Sequence, residues 1–171
     1  MGHFFVEGFD FFKKAYLEED GSLSKALSWG VSTEEGKYGL ITTGVFSHAD
    51  LVANFNGLRF WNQILLNHKD PLNKESSYHN SPYLKCHNDR WTLKKKFNLN
   101  RYTDAAWDEK INCNQYRNKD IEDKIMRGHS KAANKEEWKA FCPAIKSRCK
   151  TIRFKYRKYK DPLIHQNCLS L

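Results

Sequence analysis

The chain has 171 residues, 40% of them apolar and 14% aromatic. That is the length of one ordinary domain with enough apolar side chain to fill a core, so a wholly disordered chain is excluded. Mean hydropathy is −0.78 and there is no run of apolar residues long enough to cross a bilayer as a helix. The formal net charge is +9, unevenly spread: residues 1–85 carry 8 basic and 10 acidic side chains, and residues 86–171 carry 21 and 10.

His3 to Glu18 reads as a helix, with Phe5, Phe9, Phe12 and Tyr16 forming an apolar stripe at helical spacing. Asp20-Gly21-Ser22 breaks it. A short helix follows through Leu23, Ala26, Leu27 and Trp29, closed by Gly30. Tyr38 to Phe46 has no clear period and reads as loop or short extended chain. Ser47-His48-Ala49-Asp50 has the form of a capping box, a hydroxyl at the N-cap and a carboxylate three residues on. The helix it opens carries Leu51, Phe55, Leu58, Trp61 and Leu65 on its buried face, and Gly57 inside it marks a close packing contact.

Asn67 to Pro82 is polar and reads as a loop. Tyr83 to Leu93 reads as a β-hairpin turning at His87-Asn88-Asp89. Thr103-Asp104 opens a helix through Ala105, Ala106, Trp107 and Ile111. Lys119 to Arg127 is a further helix ended by Gly128, and His129 to Ala133 is a linker. Asn134 then caps a helix over Lys135–Phe141, and Pro143 to Tyr159 forms the last helix, halted near Pro162. The expected fold is therefore mainly α: a single helical domain over 1–171 with a small β-hairpin, disulfide-linked.

Five cysteines, Cys86, Cys113, Cys142, Cys149 and Cys168, all lie in the second half, and none forms C-x-x-C. Zinc-finger and thioredoxin-type readings have no support in that spacing. Two disulfides and one free thiol are expected for an exported protein. Cys142 and Cys149 on one continuous helix would sit about 10.5 Å apart, whereas bridged Cα atoms lie within about 7 Å. The expected pairs are Cys86 with Cys113, and Cys168 with Cys142 or Cys149. Met1-Gly2-His3-Phe4-Phe5-Val6-Glu7 reads as the inside of an amphipathic helix and not as a signal peptide. Export would then require a segment upstream of Met1.

Three groups of side chains bear on function. His3 and Glu7 are four apart, the spacing that puts two ligands on one helix face. With His48 and Asp50, they are candidates for a metal or acid/base site, His48 and Asp50 being the catalytic candidates. Asp104 and Asp108 form a second carboxylate pair, which a helix first turn would also explain. From Lys146 to Lys160, 8 of 15 residues are Lys or Arg and none is acidic. Within this run Arg153, Lys155, Arg157, Lys158 and Lys160 alternate with Phe154, Tyr156 and Tyr159, a pattern suited to an anionic surface or polymer and also to nucleic acid. Nucleophile-elbow, phosphate-loop, dinucleotide-binding, zinc-protease and kinase motifs are all missing, and nothing in the sequence calls for a cofactor.

Two stretches carry a resemblance. The first is Phe46-Ser47-His48-Ala49-Asp50-Leu51-Val52-Ala53-Asn54 with Gly57 and Phe60-Trp61. The second is Arg90-Trp91, then Tyr102-Thr103-Asp104-Ala105-Ala106-Trp107-Asp108-Glu109 and on to Cys113. Over roughly residues 37–113, the chain resembles a group of uncharacterised bacterial proteins that are exported and have no assigned activity. The resemblance implies a periplasmic or secreted location; reduced cysteines would instead point to the cytoplasm. It implies no chemistry. The expectation is a non-catalytic binding or structural role at the cell envelope, with an envelope hydrolase and a nucleic-acid-binding protein as alternatives.

Overall fold

The computed structural model describes residues 2–66, 68–72, 81–132 and 142–171. Its elements are a π-helical turn (His3–Glu7) leading into α1 (Gly8–Tyr16), then α2 (Leu23–Glu35), β1 (Val45–Ser47), α3 (His48–Leu65), β2 (Leu84–His87) and β3 (Arg90–Leu93). Two 3-10 turns (Leu99–Arg101 and Ala105–Trp107), β4 (Asn114–Tyr116), α4 (Lys119–Ala132), α5 (Lys146–Tyr156), α6 (Lys160–Leu163) and α7 (Gln166–Leu169) complete it. The fold is mainly α with a small hairpin and two disulfides, as the sequence led us to expect. The expected helix over Lys135–Phe141 lies outside the described residues, as does much of the loop before Pro82.

The chain forms two compact units, each made of two stretches of sequence: Met1–Leu27 with Ala53–Asp104, and Ser28–Val52 with Ala105–Leu171. In the first, Phe4, Phe11, Phe12, Phe55 and Leu58 are fully buried. Phe60 lies 5.3 Å from the Phe4 ring in a tilted geometry and 5.9 Å from that of Tyr102 edge-on. The buried stripe of the π-helical turn and α1 runs through Phe4, Gly8, Phe11, Phe12 and Ala15; of the expected Phe5, Phe9, Phe12 and Tyr16 it includes Phe12, while the other three are half-buried. The cause is a backbone contact. A Cβ on Gly8 would come within 2.6 Å of the Gly57 Cα, so the backbones of α1 and α3 meet at Gly8 and Gly57 with no room for a side chain, and the larger Phe5 and Phe9 lie to either side. Trp61 packs its ring on Phe9 at 5.1 Å and donates its indole N–H to the Phe5 carbonyl at 2.8 Å. Gly57 is thus the close packing contact that its place in the helix suggested.

In the second unit, β1 pairs antiparallel with β4, Val45 opposite Tyr116 and Ser47 opposite Asn114. Ile111, Ile152, Tyr156, Leu163 and Ile164 form its core. Cys113–Cys142 and Cys149–Cys168 are bridged, with Cα separations of 5.7 and 5.0 Å, and Cys86 is free and exposed. The expected Cys86–Cys113 pair is therefore wrong, while Cys149–Cys168 is one of the pairs expected. Cys86 faces Trp91 across the hairpin. Cys113 meets Cys142 because Ala144 donates its backbone N–H to the Lys110 carbonyl at 2.7 Å, tying the 142–144 bend to the residues just before Cys113.

Four helix boundaries differ from expectation. α2 runs through Gly30 to Glu35, since one glycine costs a helix only about 1 kcal/mol and the turn beyond it holds the buried Glu34. α4 likewise runs through Gly128 to Ala132, so the expected linker begins as helix. The helix expected from Thr103 shrinks to the turn Ala105–Trp107. Asn112 Nδ2 takes the Ala106 carbonyl at 3.1 Å and the Asp108 side chain takes the Lys110 N–H at 2.9 Å, which removes both halves of the helical bond between 110 and 106. α5 begins at Lys146, after the Pro143 bend, and ends at Tyr156, where the Tyr159 N–H folds back onto the Tyr156 carbonyl at 2.6 Å.

Candidate functional site

His3 and Glu7 belong to the first unit, and the helical turn places them together as their spacing suggests. His3 Nδ1 lies 3.1 Å from Glu7 Oε2 and 3.2 Å from Asn54 Oδ1. Asn54 Nδ2 donates to Glu7 Oε2 at 3.0 Å. Two oxygens aimed at one ring nitrogen make Nδ1 the protonated one, which leaves the basic lone pair of the neutral ring on Nε2. Asn54 is fully buried on α3 and has no sequence signal, because a buried asparagine looks like any other.

His48 and Asp50 belong to the second unit. The Asp50 N–H donates to Ser47 Oγ at 3.2 Å, so Ser47 does cap α3. Ser47 is held in turn: its N–H donates to Glu34 Oε2 at 3.2 Å and its hydroxyl to Glu109 Oε1 at 3.3 Å. His48 is buried, with Nδ1 3.2 Å from the Pro162 carbonyl and Nε2 3.1 Å from Gln115 Nε2. A carbonyl can only accept, so Nδ1 carries the proton and Nε2 accepts from the amide. Asn112 fixes the Pro162 segment by donating to the Leu163 carbonyl at 2.9 Å and accepting from the His165 N–H at 2.9 Å.

Burial, together with the His165 ring 5.3 Å away, lowers the His48 pKa to about 4. An unfolded histidine titrates near 6.5. The unfolded chain therefore takes up this proton first, and the stability His48 contributes is full above pH 6.5 and is lost as pH falls towards 4. His48→Gln should remove about one proton of uptake on unfolding between roughly pH 6 and 4.5. Unfolding titrations of the two proteins, with the ring followed by NMR, check this. A His48 resonance titrating at 6.5 in the folded protein would contradict it.

The basic segment forms α5 and the turns after it. Cys149, Ile152 and Tyr156 face the core, and Lys146, Arg148, Lys150, Phe154, Arg157 and Lys158 are exposed. Phe154 is 70% exposed, with the Arg157 guanidinium 5.2 Å from its ring centre. Among the expected anion-binding residues, Arg157 and Lys158 are exposed, the Lys158 ammonium lying 5.5 Å from the Tyr159 ring centre, and the other three are half-buried. Arg153 donates to the Leu169 carbonyl at 2.9 Å, Lys155 lies over the Tyr156 ring at 5.4 Å, and Lys160 pairs with Asp161 at 3.2 Å. Lys146, Arg148 and Lys150 join the exposed set. Among the described residues, no helix is long and apolar enough to cross a membrane. No protein-family model, no curated protein and no solved structure matches the chain.

Proposed function

We propose that this is an exported bacterial protein that binds an anionic surface of the cell envelope without catalysing a reaction. The observation that carries the reading is the basic segment of α5 and the turn after it, where Lys146, Arg148, Lys150, Arg157 and Lys158 are exposed and residues 146–160 hold no acidic side chain. Such a segment gathers polyanions through summed charge, and its affinity falls steeply with salt. The two disulfides suit an oxidising compartment, and the resemblance over residues 37–113 suits export.

Immobilised dextran sulfate tests the binding, with neutral dextran as control. The native chain should be retained at low salt and released as salt rises. The triple variant Lys150→Glu, Arg157→Glu, Lys158→Glu should lose retention. Equal retention of both proteins would remove the reading. A thiol count on unreduced protein from its source should give one, and five would place it in a reducing compartment.

Nucleic-acid binding is the second reading, favoured by exposed Phe154 beside Arg157, where a base could stack. Phe154→Ala would then weaken single-stranded DNA binding but leave dextran sulfate binding unchanged. A His/carboxylate hydrolase has less support, because both ring nitrogens of His48 are engaged and burial keeps it neutral.

A further inference from the structure

The hairpin β2–β3 of the first unit turns through Asn88 and Asp89, both with positive φ (48° and 57°), as a tight two-residue turn requires. Its register pairs Leu84 with Leu93 and Cys86 with Trp91. Because side chains alternate along a strand, these four share one face, and Lys85, His87, Arg90 and Thr92 share the other. Among the described residues most of this apolar face is left open: Trp91 is 68% exposed, Leu93 65%, and Cys86 is exposed as well, while Leu84 is half-buried at its base. A contiguous apolar face left open in this way marks an interaction surface.

Charge says what covers this face. Between Leu84 and Phe97 there are five cations, Lys85, Arg90, Lys94, Lys95 and Lys96, and one anion, Asp89. A second copy stacked on the same face would bring two such sets together, and like charges across an interface are costly. A nucleic acid would take Trp91 and the cations but leave Leu93 in water. An anionic bilayer accepts all of them: the leucines among the upper acyl chains, the indole at headgroup depth, and the cations reaching phosphates around the ribbon's edges.

We propose that the β2–β3 hairpin lays its Leu84, Cys86, Trp91 and Leu93 face into the interface of an anionic phospholipid bilayer. This extends surface binding to a lipid target and stands on the hairpin's residues, not on those of α5, so either can fail alone.

Cys86 is the one cysteine outside the two disulfides, so a polarity-sensitive dye can be attached at the centre of the face. The full chain is mixed with phosphatidylcholine vesicles, with or without phosphatidylglycerol. Expected are a blue shift and quenching by brominated lipid with phosphatidylglycerol only, and co-sedimentation of unlabelled protein with the same vesicles. Trp91→Ser with Leu93→Ser should weaken partitioning at least about tenfold, with helical circular dichroism unchanged. The α5 triple variant should keep the dye shift even where it loses dextran sulfate.

A dye that stays water-exposed on vesicles the protein sediments with would overturn the hairpin proposal and leave surface binding standing. Single-stranded DNA binding abolished by Trp91→Ser, without a dye shift on vesicles, would overturn it in favour of nucleic acid. A dimer dissolved by the same variant, again without a dye shift, would assign the face to a second copy.

Discussion

Asp70→Asn is expected to destabilise the protein by about 3–5 kcal/mol, the cost of leaving a buried charge without its partner. Arg59 donates to both Asp70 carboxylate oxygens at 2.8 Å, and its third nitrogen reaches Asn56 Oδ1 at 2.5 Å. The Arg59 and Asp70 side chains are 3% and 8% exposed, so water cannot replace the lost acceptor. The guanidinium also lies 5.4 Å from the Tyr102 ring, and the Tyr102 hydroxyl is 3.0 Å from that of Tyr83. Burial pushes Tyr102 further above its ordinary range, so it stays neutral as a donor.

Acid should report the same pair. Burial alone would raise the Asp70 pKa, but the hydrogen bonds and charge of Arg59 outweigh it and hold the carboxyl below its usual value. The unfolded carboxyl titrates near 3.9. The contribution of Asp70 is therefore present above that pH and is lost as pH falls through its lower folded value. The native chain should lose stability more steeply below about pH 4 than the Asn variant does. Denaturant melts across that range check it, and parallel pH profiles would refute the assignment.

Gly57→Ala sets two effects against each other. Helix propensity alone predicts a gain of about 1 kcal/mol. Packing predicts a loss, because a Cβ at Gly57 would overlap the Phe4 carbonyl oxygen and approach the Gly8 Cα to 2.7 Å. Both obstacles are backbone, so neither can rotate away, and α1 would have to move off α3. Overpacking costs about 1–3 kcal/mol and sometimes more; two backbone clashes put this site at the upper end, so after the propensity gain a net loss of about 2 kcal/mol is expected. That corresponds to a melting temperature lower by about 4–8 °C. Gly128→Ala is the control: it lies in exposed helix, and among the described residues no atom beyond its own helical turn stands within 4 Å of its added Cβ. It should raise stability by up to about 1 kcal/mol. Thermal melts of the two variants separate the effects, and a stabilised Gly57→Ala protein would mean that the two helices yield easily.

The elements legible in the sequence were those whose signal is local. Ser47 announced the start of α3, and His87-Asn88-Asp89 announced the hairpin turn, which the structure narrows to Asn88 and Asp89 by pairing His87 with Arg90. What escaped depends on partners far along the chain. Every residue from Leu51 to Phe60 is buried, so the expected stripe understated α3 there, and it overstated the end of the helix, where Trp61 is half-buried and Leu65 exposed. Asn54, Asn56 and Arg59 look like its solvent side until Glu7 and Asp70 are placed beside them. β1 and β4 are three-residue strands that mean nothing until they pair. Asn112 breaks an otherwise plausible helix by claiming carbonyls at Ala106 and Leu163, and no propensity scale holds that information. In the candidate sites, the His3–Glu7 contact was legible from spacing and the engagement of His48 was not, since Gln115 and Pro162 are remote in sequence.

The interleaving of the two units bears on how this gene can be divided. A cut after Asp104 keeps the first unit whole but strands 105–171 without residues 28–52, and β4 without β1. A cut after Leu27 keeps the second whole and removes Phe4, Phe11 and Phe12 from the first. No single cut yields two intact halves. The chain is not a fusion of modules laid end to end, and a truncation series will produce fragments with missing cores long before it isolates a functional part.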